Sequence, residues 1–213
     1  MSEHTNFIRS HTTLARPALL PEFQLYLATE ITPIWQATEA WLAARDLAPP
    51  FWAFAWPGSV AMARHLLDNP RLCAGKRVLD FAAGGGVAAL AAVRAGAARV
   101  DANELDPLAV AAIAVNAATN GLAVGLLAGD IVGSSGDWDL ILAGDVCYEA
   151  PMTQHILPWL RGLARSAEVW VADPGRAYLP TDGMVSFATY DVPTTLELED
   201  RTIRRTVLYR LLA

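Results

Sequence analysis

The chain is poor in cysteine, in positive charge and in long apolar runs. Its two cysteines, Cys73 and Cys147, stand far apart, so they build neither a disulfide framework nor a thiolate metal site and are expected as buried thiols of a reducing compartment. Sixteen Lys and Arg against 22 Asp and Glu give a net charge of −6, which argues against general affinity for nucleic acid or an anionic membrane. The longest unbroken apolar run, residues 81–93, holds 13 residues and three glycines, too short to cross a bilayer. The four histidines, His4, His11, His65 and His155, fall at no ligand spacing, so no metal is expected. No signal-peptide core opens the chain, and Arg9 and Arg16 against Glu3 resemble a mitochondrial presequence only weakly. A cytoplasmic, bacterial setting is the expectation, with the mitochondrial matrix the lesser alternative.

What the chain does have is regular punctuation. From Arg77 onward, short apolar runs ("RVLDF", "ARVDANE", "AVGLLAGD", "WDLILAGD", "EVWVAD") alternate with helical stretches over 87–95, 107–120 and 151–166. That pacing predicts an α/β, Rossmann-like fold with a mostly parallel sheet and right-handed crossovers. "MVSFATYDV" and "TIRRTVLYRLL" alternate in character and predict an antiparallel strand pair at the C-terminal end. One domain over 1–213 is expected: a helical N-terminal extension over 1–50, with a helix over 33–44 carrying Trp35 and Trp41, and a catalytic core over 51–213.

In an open parallel sheet the ligand lies beyond the carboxyl ends of the strands. There each run finishes in an acid: Asp80, Glu104 with Asp106, Asp130, Asp145, and Asp173. Any one of these serves equally well as a helix cap or turn former; five at one edge point to a ligand. Asp80 is followed by Ala82, Ala83 and three glycines, Gly84 to Gly86, a backbone nearly free of side chains. A pyrophosphate dinucleotide would meet repulsion along this edge. S-adenosylmethionine carries a sulfonium and an ammonium and no phosphate, so the sign of the charges selects it. In this reading Asp80 holds the ammonium directly or through water, Glu104 the ribose hydroxyls and Asp130 the adenine amino group, while Gly84 and Gly86 let the ligand lie against the loop.

The segment Asp80-Phe81-Ala82-Ala83-Gly84-Gly85-Gly86 resembles the first motif of the seven-strand methyltransferases, D-x-G-x-G-x-G, with Ala82 replacing its first glycine. Asp145-Val146-Cys147-Tyr148 matches the D-x-x-Y acceptor-site signature of a protein-lysine methyltransferase group. Together with "PPFWAFAWPGSVAMARHLLDNP" and "ADPGR", it makes residues 21–176 similar to the lysine methyltransferases of the electron transfer flavoprotein β subunit. The resemblance implies that S-adenosylmethionine is converted to S-adenosylhomocysteine and that the protein partner is that β subunit. It places Trp56 and Ala82 against the cofactor, Asp145 and Tyr148 in the transfer step, and Arg176 at the substrate entrance. It carries no nucleic-acid or membrane partner, and a monomer is expected. Two alternatives of another kind remain at this point: methylation of a ribosomal-protein lysine or a small amine such as nicotinamide, and a binding module that has lost activity.

Overall fold

The computed structural model describes residues 2–28, 50–195 and 199–213; the helix expected over 33–44, with Trp35 and Trp41, lies outside the described residues. Helix α1 (Glu3–His11) leads into the strands β1 (Thr13–Ala15) and β2 (Leu25–Leu27), which pair antiparallel as a small sheet. Then follow α2 (Pro57–Asp68), β3 (Arg77–Phe81), α3 (Val87–Arg94), β4 (Arg99–Glu104), α4 (Pro107–Thr119), β5 (Gly125–Ala128) and β6 (Leu140–Gly144). Helix α5 (Ala150–Leu163), β7 (Glu168–Asp173), β8 (Met184–Pro193) and β9 (Ile203–Leu211) complete the fold. The main sheet has seven strands in the order β5-β4-β3-β6-β7-β9-β8. Its first five strands run parallel, and β9 inserts antiparallel between β7 and β8. The expected mostly parallel sheet with an antiparallel C-terminal pair is therefore present, strand for strand.

Alternation along each strand divides the core. Val78, Leu140, Leu142 and Trp170 face one hydrophobic layer, packed with Val60, Leu66 and Leu90 of α2 and α3 and Ile113 of α4. Their neighbours Leu79, Phe81, Ile141, Val169 and Val171 face the other, closed by Ile156 and Leu160 of α5. Both faces of the central strands are covered, as continuous apolar runs require. Proline at the first turn of α2, α4 and α5 sets each helix start. Asp106 caps α4 by accepting from Leu108 N at 2.8 Å.

The N-terminal segment is fastened to this frame by two asparagines one turn apart, Asn116 on α4 and Asn120 at its C-cap. Asn120 clasps Gln24 through both backbone groups, accepting from its N at 3.0 Å and donating to its O at 2.7 Å. Asn116 accepts from Tyr26 N at 2.8 Å and donates to Gly85 O at 2.9 Å, joining β2 to the glycine loop. Ile8 of α1 is fully buried against the cluster of Trp52, Leu108 and Ala112.

Candidate active site

A cavity of about 1050 Å³ opens beyond the carboxyl ends of β3, β4 and β6, where the topology of a parallel sheet puts a ligand. Trp56, Ala82, Gly84, Glu104, Asp130, Asp145, Tyr148 and Arg176 all line it, so eight of the residues singled out by sequence converge on one space. Two do not reach its wall. Asp80 lies on the same face of β3 as Val78, turned toward α3, and its Oδ2 accepts from Ala89 N at 2.8 Å. The N-cap of α3 is Gly86, which has no side chain to offer, so Asp80 caps the helix from the strand beneath it. Gly86 itself takes a positive φ of 81° and packs on Ile113.

At the cofactor end, Gly84 sits at φ 56° with open space where a Cβ would stand, a bare backbone presented to the cavity. Its N–H donates to Glu104 Oε1 at 2.6 Å, while Glu104 Oε2 accepts from Leu105 N at 3.0 Å. Burial pushes the Glu104 carboxyl up to about 7 in spite of those two donors, and burial likewise raises Asp80 to about 7. Asp130 is exposed, its Oδ1 accepting from Val132 N at 2.8 Å and its Oδ2 facing His155 Nε2 at 3.1 Å; those bonds lower its pKa. The residues fit S-adenosylmethionine on two counts. The cradle at Gly84 is open, and Glu104 faces the cavity with a carboxylate already aligned to accept hydrogen bonds. Ala82, standing where the motif has glycine, adopts a left-handed φ of 52°.

The other end of the cavity is built around Asp145, which directly follows β6 and is itself left-handed at φ 56°. That turn aims its side chain at the N-terminus of α2, where Gly58 N donates to Oδ2. A Cβ on Gly58 would lie on top of Asp145 Oδ2 and Ala172 O, so glycine is what permits the approach. Helix-terminal N–H groups favour an anion here. Arg176 Nη2 pairs with Oδ1 at 3.0 Å. Burial still raises the Asp145 carboxyl to about 6, with Arg176 opposing the shift. Tyr148 is 40% exposed, its ring 5.6 Å from that of Phe51, and burial raises its pKa. Trp56 donates through Nε1 to Phe51 O at 2.7 Å and carries the Arg176 guanidinium 5.7 Å from its ring.

Two participants, Asn116 and Glu199, escaped the sequence reading. Asn116 is the one side-chain amide inside "PLAVAAIAVNAAT", and an isolated amide in an apolar helix was a usable signal of a buried contact. Glu199 offered none, because its role depends on a contact 23 residues away in the chain; Gly58, which the resemblance sets beside Trp56 and Pro57 against the cofactor, donates its N–H to Asp145 Oδ2.

The arrangement has known counterparts. A family model described as ribosomal protein L11 methyltransferase (PrmA) matches residues 61–146. The fold is similar to that of the ribosomal protein L11 methylase of Lactobacillus delbrueckii subsp. bulgaricus, with 18% identity, TM-score 0.52, and 75% of this chain and 81% of that one covered. It is similar also to magnesium protoporphyrin IX methyltransferase from Synechocystis PCC 6803 with bound SAH, at 15% identity, TM-score 0.52, and coverage of 72% and 81%. The fold is thus that of the seven-strand methyltransferases. Among sequence relatives, the electron transfer flavoprotein beta subunit lysine methyltransferase of Xenopus laevis is 40% identical over 177 residues, covering 81% of this chain and 70% of that protein. The Danio rerio protein of the same name is 34% identical over 215 residues, covering 96% and 82%. The chain belongs to the electron transfer flavoprotein beta subunit lysine methyltransferase family.

Proposed function

We propose that this chain, acting as a monomer in the cytoplasm, transfers methyl groups from S-adenosylmethionine to lysine side chains of the electron transfer flavoprotein β subunit. The observation that carries the reading is the union, in one cavity, of the Glu104–Gly84 cradle with the Asp145–Tyr148 pair, in a chain of this family. S-adenosylmethionine bound there supplies a methyl group activated by its sulfonium and leaves as S-adenosylhomocysteine. The protein's part is alignment and electrostatics. Glu104 accepts hydrogen bonds from ribose hydroxyls, and the bare Gly84 backbone lets the ligand lie flat. Asp130 stands at the outer rim, on the adenine side. On the other wall, Asp145 faces the positive charge that develops on nitrogen as the amine attacks, and Tyr148 offers a hydroxyl to orient that amine. A free lysine ammonium, with a reference pKa near ~10.4, must lose its proton to attack. No side chain here is assigned as the base, and alignment of the two reactants does most of the work.

The test is mass spectrometry of the purified β subunit after incubation with enzyme and methyl donor. Mass gains of 14 Da or its multiples on lysine (about one CH₂ each) are the expected result. An unmodified subunit beside a methylated small amine would move the activity to the small-molecule class.

A further inference from the structure

Arg176 stands between two carboxylates from different parts of the fold. Its Nη2 donates to Asp145 Oδ1 at 3.0 Å and to Glu199 Oε1 at 2.6 Å, and its Nη1 reaches Glu199 Oε2 at 3.3 Å. Glu199 lies in the connection between β8 and β9, with a side chain only 3% exposed. Arg204 holds Glu199 from the far side, Nη2 at 2.7 Å and Nε at 2.9 Å from Oε2. So the arginine is bound more fully by Glu199 than by Asp145, and its Nε finds no acceptor among the described residues. Arg176 is thus shared between the buried carboxylates of Asp145 and Glu199, and Arg204 in turn between Glu199 and the exposed Asp200, 2.7 Å from its Nη2. Arg176 also lines the cavity, within reach of whatever enters.

We propose that Glu199 is a positioning residue that gives Arg176 a second counter-ion, so that an entering ammonium takes Arg176's place on Asp145. The inference rests on the methyltransferase reading above and names what its acceptor must bring. Displacing a half-buried guanidinium from its only partner would strand a charge, which is strongly unfavourable. Glu199 removes that penalty, because the shared Nη2 already touches it and needs only a small shift. The step is an exchange of one cation for another, with no covalent change. It selects acceptors that arrive with a positive charge on a slender, flexible stem, as a lysine side chain does. A neutral ring nitrogen cannot displace the arginine.

The experiment compares wild type, E199Q, R176Q and R176Q/E199Q, each checked for folding by circular dichroism and for cofactor Kd by calorimetry. With Gln at position 199, Arg176 has only Asp145 and blocks it. The acceptor KM for the β subunit is then expected to rise about tenfold, with kcat and cofactor Kd near wild type. Removing the arginine as well frees Asp145, so R176Q/E199Q is expected to recover most of that loss. R176Q alone, which leaves Glu199 on Arg204, is expected to bind the acceptor at least as well as wild type. A purely structural network predicts the reverse order, the double variant worst of all. An unchanged KM in E199Q, or no recovery in the double variant, overturns the exchange while leaving lysine methylation standing. If E199Q does not fold, a raised KM in R176Q overturns it instead. A wild-type enzyme inactive on the β subunit overturns that acceptor alone. The exchange is then read by calorimetry with n-butylammonium, which is expected to bind R176Q/E199Q more tightly than E199Q; equal or weaker binding overturns it.

Discussion

The two ends of the cavity are built by different means. The cofactor end comes mainly from one stretch, residues 80–106, with Asp130 at its rim, and its central contact joins a backbone amide to a carboxylate, Gly84 to Glu104. The acceptor end gathers Gly58, Asp145, Arg176 and Glu199 from distant parts of the chain and holds them through charge. A ligand that is the same at every turnover is met by a local loop whose shape the backbone dictates. An acceptor that must be told from every other amine is met by an assembly that forms only when the whole sheet is in place. Damage at the first end should therefore appear in cofactor affinity, and damage at the second in transfer.

The largest expected effect lies at the acceptor end. Asp145→Asn keeps an oxygen for Gly58 but removes the charge that faces the developing ammonium. Methylation of the β subunit, followed by mass spectrometry, is expected to slow on the order of 100-fold. Cofactor Kd should barely move, and Tyr148→Phe should give the milder loss of a hydroxyl. Full activity in D145N would erase the division between the two ends. Glu104→Ala, at the cofactor end, is expected to weaken cofactor binding by about 1–3 kcal/mol, the range for hydrogen bonds to a charged acceptor. Calorimetry reads it directly, and an acceptor KM that rose as much would break the comparison.

Next in size is the response to pH, where the two states of the protein pull in opposite directions. Glu104 titrates near 7 because burial raises it, so it loses its charge as pH falls below 7. Cofactor affinity is expected to weaken between pH 8 and pH 6, by at most about tenfold for one group over that span. The free protein behaves the other way. Asp80 and Glu104 near 7 and Asp145 near 6 are all raised above their unfolded values, so the folded state holds more protons through this window. Their contribution to stability is full below about pH 4 and is lost as pH rises through about 7. Thermal melts of the free enzyme at pH 5 and pH 8 are expected to favour pH 5. The smallest effect is Ala82→Gly. It relieves a left-handed alanine worth about 1–2 kcal/mol and loses roughly 0.5–1 to backbone entropy, for a net gain of about 0–1.5 kcal/mol. A slightly higher melting temperature with unchanged cofactor Kd is the expected outcome.

Much of this was legible in the residues, and the exceptions share a cause. The spacing of apolar runs and helical stretches placed all seven strands of the main sheet, because covered parallel strands leave an unambiguous pattern. The strands β1 and β2 went unseen: at three residues each they are too short to show alternation, and the asparagines that hold β2 lie some 90 residues further on. Asp80 was expected against the ligand, yet its place within β3, before the strand ends, turns it to the α3 side. Acids at strand ends were easy to find; which way each one faces is decided by the pleat. Arg176 was expected at an entrance and does line the cavity, but its pair of ion contacts was not foreseen, because its partner Glu199 comes from a connection with no motif of its own.

The position of β9 also bears on how the molecule comes into being. Because β9 lies between β7 and β8, the strand made earlier, β8, has no place in the sheet until the later one has been synthesised. Chain emerging at a few residues per second must hold β8 in waiting, its apolar side uncovered, while the first five strands already dock their neighbours. The connection that bears Glu199 is drawn into position only when β9 slides in beside β7. On the nascent chain, then, the end that grips the methyl donor can be finished before the end that judges the acceptor, and the enzyme acquires its discrimination last.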